Sequence, residues 1–260
     1  MRLLFAVGAA LAATMMRAPE ADAVQPYVIF EAGVLSRDVV EEDSSIEGFT
    51  FGAEASSTRV LATLGVEVTS ALTVYAQAGA ASLTIDEFND FDSSFNEAYG
   101  GGVRLNLYLS PNPYSLRLFV DAGMLHTTAD DTVQAEFGCT PANGCSSAGA
   151  RGGYLPRLVE EEIDWDEYTV LMGAGSRHGP YGPYGGVRLS WVDAEDRLRA
   201  APDANFSTEF RADTDLEEQD NFGVFFGTDV FLDRLGKTAL NFEVSLIDQY
   251  SFRAAVRRAF

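Results

Sequence analysis

The chain has 260 residues and a formal net charge of -21, from 39 acidic and 18 basic side chains. A chain this acidic lacks the basic surface that neutralises phosphates, so nucleic acid is excluded as a partner. Its mean hydropathy is close to zero, as in a chain whose apolar and polar positions alternate and cancel.

At the N-terminus, Arg2 precedes an apolar run from Leu3 to Met16, then polar residues and a small-residue site, Ala21-Asp22-Ala23. These are the parts of a secretory signal peptide. The run is too short to span a bilayer as a helix, which takes roughly 18 or more apolar residues. Cleavage is expected after Ala23, so residues 1–23 are the signal peptide and 24–260 one barrel domain. Arg2, Arg17, Glu20 and Asp22 cancel, so the mature chain keeps the full negative charge. No long apolar run follows. A membrane protein without one must be a closed barrel, because only helices and barrels satisfy every backbone group in lipid.

After Pro26 the chain divides into alternating segments of about the length of a tilted membrane strand. Strands are predicted at 27–37, 58–68, 72–84, 97–109, 115–127, 166–177, 183–193, 221–233, 238–248 and 250–260. The pattern is plain where Leu240, Phe242, Val244 and Leu246 alternate with Asn241, Glu243 and Ser245. A soluble β-sandwich alternates in the same way; the export signal and the loop pattern favour the barrel. Short connections are expected at Thr69-Ser70, 110–113, near His178 and at 235–237. Long ones are expected at 38–57, 85–96, 128–165 and 194–220, with a tight turn near Gln249. Short periplasmic turns and long extracellular loops are the outer-membrane pattern. In the second strand, Phe49 and Phe51 are out of phase with Val60, Ala62 and Leu64, so either a bulge intervenes or the strand starts later.

The acidic residues concentrate in the long connections, as at Glu160, Glu161 and Glu162. With Asp164 and Asp166 these offer carboxylates to calcium or magnesium, but without the ordered spacing and Gly of a calcium loop. A solvated surface is expected, with no metal and no cofactor. Cys139 and Cys145 flank the turn-rich TPANG and are expected to form a small disulfide loop in an exported protein. Tyr27, Tyr99, Tyr108, Tyr114, Tyr168, Tyr184, Trp191 and Phe231 lie near strand ends, where aromatic girdles form. Tyr108 has inward parity and is expected in the lumen.

The same parity places Glu31, Glu67, Asp121, Asp229 and Glu243 inside, with Arg104, Arg117, Arg188, Arg253 and Arg257. Buried charges need partners, so ion pairs across a narrow lumen are expected. Gln77, Asn106 and Asn241 would complete the hydrogen bonding, and Phe119 and Phe225 would add apolar filling. Such a network either plugs the barrel or lets water and small solutes thread through it.

The last ten residues, SFRAAVRRAF, put Phe252, Ala254, Val256 and Phe260 on one strand face and Arg253, Ala255 and Arg257 on the other. With YGPYGGVRLSW, GVFFGTDVFL and KTALNFEVSL upstream, this resembles the small bacterial outer-membrane β-barrel superfamily, which includes the transmembrane domain of outer-membrane protein A. The resemblance covers the architecture of the whole mature chain. It implies an all-β, closed antiparallel barrel of about ten strands, or eight as in the smallest relatives, in the outer membrane of a Gram-negative cell. It also implies that Phe252, Val256 and Phe260 form a C-terminal insertion signal read by the barrel-assembly machinery. Outer-membrane lipid and lipopolysaccharide are the expected surroundings, and a monomer is the expected state. Arg258 departs from the signal, standing where an apolar or aromatic residue is usual.

Some ten-stranded relatives are surface proteases with paired Asp and Asp-His motifs, and some smaller barrels modify lipid A with His and Ser. Here those motifs are not recognisable. His178 falls in a short periplasmic turn, and His126 lies near the outer rim with Asp130 and Asp131 a few residues on. No catalytic residue is expected. The function expected is that of a structural or porin-like barrel. The alternatives are a surface ligand-binding or adhesion barrel acting through the acidic loops and, last, a rim hydrolase.

Overall fold

The structure, a computed structural model, describes residues 24–42, 50–86, 91–110, 116–138, 154–200, 210–218, 221–247 and 249–260. The expected signal peptide, Tyr114 and the Cys139–Cys145 pair lie outside the described residues. The strands are β1 (Gln25–Glu42), β2 (Thr50–Glu67), β3 (Leu72–Asp86), β4 (Phe91–Asp92), β5 (Asn96–Leu109), β6 (Arg117–Gly138), β7 (Tyr154–Gly175), β8 (Tyr181–Ala200), β9 (Phe210–Glu218), β10 (Phe222–Phe231), β11 (Thr238–Leu246) and β12 (Gln249–Ala259).

Ten of these close an antiparallel barrel in the order β10-β11-β12-β1-β2-β3-β5-β6-β7-β8, and β8 pairs β10 to complete the ring. The remaining two, β4 and β9, stand above this ring. β4 pairs the end of β3. β9 pairs β8 on one side and β1 on the other, through Val39↔Glu218 to Glu42↔Asp215. It lies above the β11–β12 turn, where Ile247 takes a φ of 93°. The extracellular end is therefore walled by β1, β2, β3, β4, β6, β7, β8 and β9, eight strands in place of ten.

The expected long loops are largely strand. β6 and β7 are 22 residues each, about twice what a tilted membrane crossing requires. The acid-rich stretch at 160–166 is thus not a loop. Glu160, Glu162, Asp164 and Asp166 lie on the outer face of β7, while Glu161, Ile163, Trp165 and Glu167 turn inward and are buried. β2 runs unbroken from Thr50 against β1, with no bulge in their register.

The outer wall changes character at one height. On β8 it reads Val187, Leu189, Trp191 and then Asp193, Glu195, Arg197. On β1, exposed Phe30 and Val34 give way to Ser36 and Asp38. Exposed Tyr99, Tyr168, Trp191 and Tyr250 stand at this border, as amphipathic rings do at a membrane–water interface. Below it the apolar wall faces lipid. Above it the wall is acidic, and Arg197 gathers Asp164 at 2.8 Å and Glu195 at 2.7 Å. The hydrogen bond from Arg197 holds the Glu195 carboxyl below its ordinary range.

Two girdle assignments change. Tyr27 and Tyr184 point into the lumen. Tyr108 points out, because the register shifts between Asn106 and Tyr108 and pairs Tyr108 with outward Leu118; a bulge reverses the parity of everything beyond it. Inside, a Cβ on Gly79 would stand 2.1 Å from the Val60 carbonyl oxygen. Only glycine lets β3 coil that closely against β2.

Candidate functional site

The site is the lumen, and it is stacked in layers. At the periplasmic mouth Arg257 pairs with Glu67 at 2.5 Å and lies over the Tyr27 ring, 4.8 Å from its centroid. Arg117 reaches Asp229 at 3.4 Å, and Asn241 donates to Asp229 at 2.9 Å. Phe119, Tyr184 and Phe225 meet beside them with ring centroids 6.2–6.4 Å apart. These rings narrow the passage to a cavity of about 130 Å³.

Above lies a larger cavity of about 230 Å³, lined in part by Leu61, Gln77, Leu125 and Thr169. Arg104 pairs with Asp121 at 2.7 Å, and the Tyr75 hydroxyl donates to the same carboxylate at 2.7 Å. Arg253 bridges Glu243 at 3.1 Å and Glu31 at 3.4 Å, and the Tyr184 hydroxyl donates to Glu243 at 2.8 Å. Each carboxylate meets a cation, so this part of the lumen carries no fixed ring of one sign.

The roof of this cavity is a buried ionic layer. Glu167 receives Arg59 at 2.6 Å, Arg188 at 2.9 Å and Arg37 at 3.0 Å. Arg37 also meets Glu218 at 3.1 Å and donates to Gln249 at 2.6 Å. Both Arg37 and Glu218 have side chains at 0% exposure. The layer sits where the wall steps from ten strands to eight, and it ties β1, β7, β8, β9 and the tip of the β11–β12 hairpin together.

Over it the eight-stranded end is filled by one apolar cluster: Val39, Ala53, Ala55, Leu83, Ile85, Phe91, Ala129, Ile163, Trp165, Val192, Ala194 and Leu216. An eight-stranded barrel is just wide enough for its side chains to fill, and these fill it. Each of its members is buried, with Val39 and Ala129 at 0% exposure.

All ten residues singled out from parity line the inner wall: Glu31, Glu67, Arg104, Arg117, Asp121, Arg188, Asp229, Glu243, Arg253 and Arg257. Parity also reaches Arg37 from Glu31, and Arg59 from Glu67, although neither was singled out. Glu218 was missed because β9 fell in an expected loop. The signal for the apolar cap was an alternation of small or apolar residues with acids: Ala53, Glu54, Ala55 on β2 and Val192, Asp193, Ala194 on β8.

His126 faces outward at the membrane border. Its Nδ1 lies 2.8 Å from Asp166 Oδ1, and its ring packs on Tyr99 at 4.9 Å. Asp166, not Asp130 or Asp131, is its partner, because β7 pairs β6 in that register. His178 stays in the β7–β8 turn, its Nε2 2.9 Å from Ser176 Oγ.

No family model matches the sequence, and no curated protein matches it. Solved structures do. The outer membrane protease OmpT from Escherichia coli superposes with a TM-score of 0.54 at 10% identity, over 93% of this chain and 98% of that one. This is the outer-membrane β-barrel fold. The translocator domain of the autotransporter NalP from Neisseria meningitidis gives 0.46 at 11% identity, covering 99% and 96% of the two chains. OprG from Pseudomonas aeruginosa gives 0.40 at 11% identity, covering 91% and 96%. With its lipid-facing belt, the chain is an outer-membrane barrel.

Proposed function

We propose that this is a structural, non-conducting outer-membrane barrel, closed toward the cell exterior by its own core and presenting an acidic wall above the membrane. The observation that carries the reading is the apolar cluster filling the eight-stranded end, directly above the Arg37–Glu167 layer. An ion entering from the periplasm would reach the 230 Å³ cavity and then meet a buried apolar layer, where an unpaired charge costs several kcal/mol or more. A porin-like role requires a continuous polar path, which the sequence left open and the packed cap argues against.

The reading is non-enzymatic. Its support is that the His126–Asp166 pair points away from the lumen and that the lumen carboxylates are engaged by arginines. The protease activity for which OmpT is named belongs to that protein. The reading keeps the small-barrel superfamily and an insertion signal at Phe252, Val256 and Phe260, read by the barrel-assembly machinery. Phe252 and Val256 are exposed on the lipid face of β12, the strand that closes against β1, and exposed Phe260 follows it directly. A monomer surrounded by outer-membrane lipid is the working state.

The test is single-channel conductance of the refolded protein in a planar bilayer. The reading expects a folded barrel that stays silent. Reproducible current steps that change on replacing Arg117 or Glu243 would establish a water-filled pore instead.

A further inference from the structure

The lumen charges balance in total but not at each height. In the ionic roof three guanidinium groups, Arg37, Arg59 and Arg188, meet two carboxylates, Glu167 and Glu218. Below it the ratio reverses: Glu31, Asp121 and Glu243 meet Arg104 and Arg253. Among the described residues, the roof of the 230 Å³ cavity therefore carries one positive charge in excess, and its lower wall one negative charge. Buried charge without a counter-charge is costly, so each excess favours a ligand group of the opposite sign.

Each excess can be traced to one residue. Arg59 donates from Nε to Ser57 at 3.2 Å and from Nη2 to Glu167 at 2.6 Å, which leaves Nη1 without a partner among the described residues. Glu31 meets only Arg253, at 3.4 Å, and that guanidinium lies closer to Glu243, at 3.1 Å. Both Arg59 and Glu31 line the cavity. Glu31 pairs Leu61 across the β1–β2 ladder, and Arg59 is the next inward residue of β2. A strand spacing of about 4.8 Å and a rise of about 3.4 Å per residue place the Cα atoms of Arg59 and Glu31 about 8 Å apart. The Leu61 side chain lines the cavity between them, with Leu125 and Leu171 as further apolar lining.

A ligand that answers both excesses presents an anion to Arg59 and a cation to Glu31, joined by a short apolar chain along Leu61. The volume is below that of sites for drug-sized ligands, roughly 300–1,000 Å³, so the chain must be short. Entry is from below: the 130 Å³ cavity at the periplasmic mouth shares Tyr27, Ile29, Glu31, Arg104 and Arg253 with the larger one. We propose that the lumen is a periplasm-facing pocket for a small zwitterion with its carboxylate and ammonium groups at opposite ends of an aliphatic chain. This rests on the reading of the barrel as closed toward the exterior, which makes the cavity a blind pocket rather than a stretch of pore.

The experiment is a ligand-observed NMR titration of the refolded full barrel in detergent micelles, measured against empty micelles, with four probes. They are 6-aminohexanoate, its isomer leucine, in which the two charges are adjacent, and the singly charged hexanoate and hexylamine. The expected result is that 6-aminohexanoate binds about tenfold more tightly than each of the others, the worth of one good contact. Glu31→Gln and Arg59→Gln should each abolish that preference, and Leu61→Trp, which fills the cavity, should abolish binding. Glu162→Gln on the outer wall should bind as the parent does. Heat-modifiable migration on gels shows which variants are folded, and Glu31→Gln remains informative if the bulky variant is not. A silent barrel that binds all four probes equally, or none, overturns this proposal and leaves the closed reading standing. Full binding by folded Leu61→Trp overturns it as well. A conducting barrel that still prefers 6-aminohexanoate overturns the closed reading and supports the site.

Discussion

Arg37 and Gln249, 212 residues apart in the chain, are joined by a buried hydrogen bond of 2.6 Å. Gln249 opens β12 at the tip of the shortest extracellular turn, and Arg37 lies on β1 where the membrane ring ends. The bond marks the height at which ten strands become eight. The same guanidinium binds Glu167 on β7 and Glu218 on β9, so one side chain joins the hairpin tip to the wall above it.

Glu167 is the acceptor for three guanidinium groups. Glu167→Gln keeps the shape and removes the charge, leaving Arg37, Arg59 and Arg188 to face one another in a buried layer. Breaking a buried ion pair from one side costs about 3–5 kcal/mol. The urea midpoint of the refolded barrel should fall by a corresponding amount, while Glu162→Gln on the outer face of the same strand should leave it within about 0.5 kcal/mol.

Trp165 is buried at 3% exposure in the cap. Trp165→Ala leaves a cavity that the surrounding strands can only partly close, at a cost of about 3–5 kcal/mol. Combined with Phe91→Ala, it removes the two largest aromatic groups of the cluster. The double variant should show current steps in a planar bilayer where the parent is silent; a folded double variant that is also silent would place the seal in the ionic layer instead.

Gly79 should not accept a side chain. An added Cβ meets the Val60 carbonyl at 2.1 Å, and the Leu61 Cα at 2.9 Å. Both atoms are backbone, so relief requires β2 and β3 to move apart. Gly79→Ala should cost about 1–3 kcal/mol and lower the yield of heat-modifiable barrel. Gly52→Ala, with open space around it, should not.

The β10–β11 turn is expected to be acid-sensitive. Asp233 accepts from the backbone N–H of Lys237 at 3.0 Å and of Thr238 at 2.6 Å, and these bonds hold its carboxyl below the ordinary range. A depressed folded-state pKa contributes stability that is fully present above the unfolded value of about 3.9. That contribution is lost as pH falls through the folded value. Hydrogen exchange at Lys237 and Thr238, measured relative to an unstructured amide at the same pH, should accelerate below about pH 4 in the parent. In Asp233→Asn it should already be fast at neutral pH and insensitive to this step.

The membrane ring was legible in the sequence because a lipid-facing strand has only one apolar face, and period-2 alternation then sets both position and orientation. That is how Arg104, Asp121 and Glu243 were placed inside. The cap was not legible for the converse reason. Above the membrane the outer face is acidic rather than apolar, so Asp164 and Glu195 looked like loop residues although Ile163 and Ala194 alternate with them. β9 was hidden by a pairing that parity does not encode, since it bonds β1 across the top of a hairpin. Tyr108 was misplaced by a single bulged residue, which leaves no mark in the alternation.

The double pairing of β1 has a consequence for assembly. Its lower part bonds β12 from Tyr27↔Ala259 to Arg37↔Gln249, and its upper part bonds β9 from Val39↔Glu218 to Glu42↔Asp215. The first strand is thus the common edge of two seams, one in lipid and one in water, each joining residues far apart in the chain. Such long-range pairings form slowly, and here neither seam can part alone without straining the other. A finished barrel is zipped through the membrane and clasped above it, so its lifetime against unfolding should be governed by the rarer event of both seams opening together.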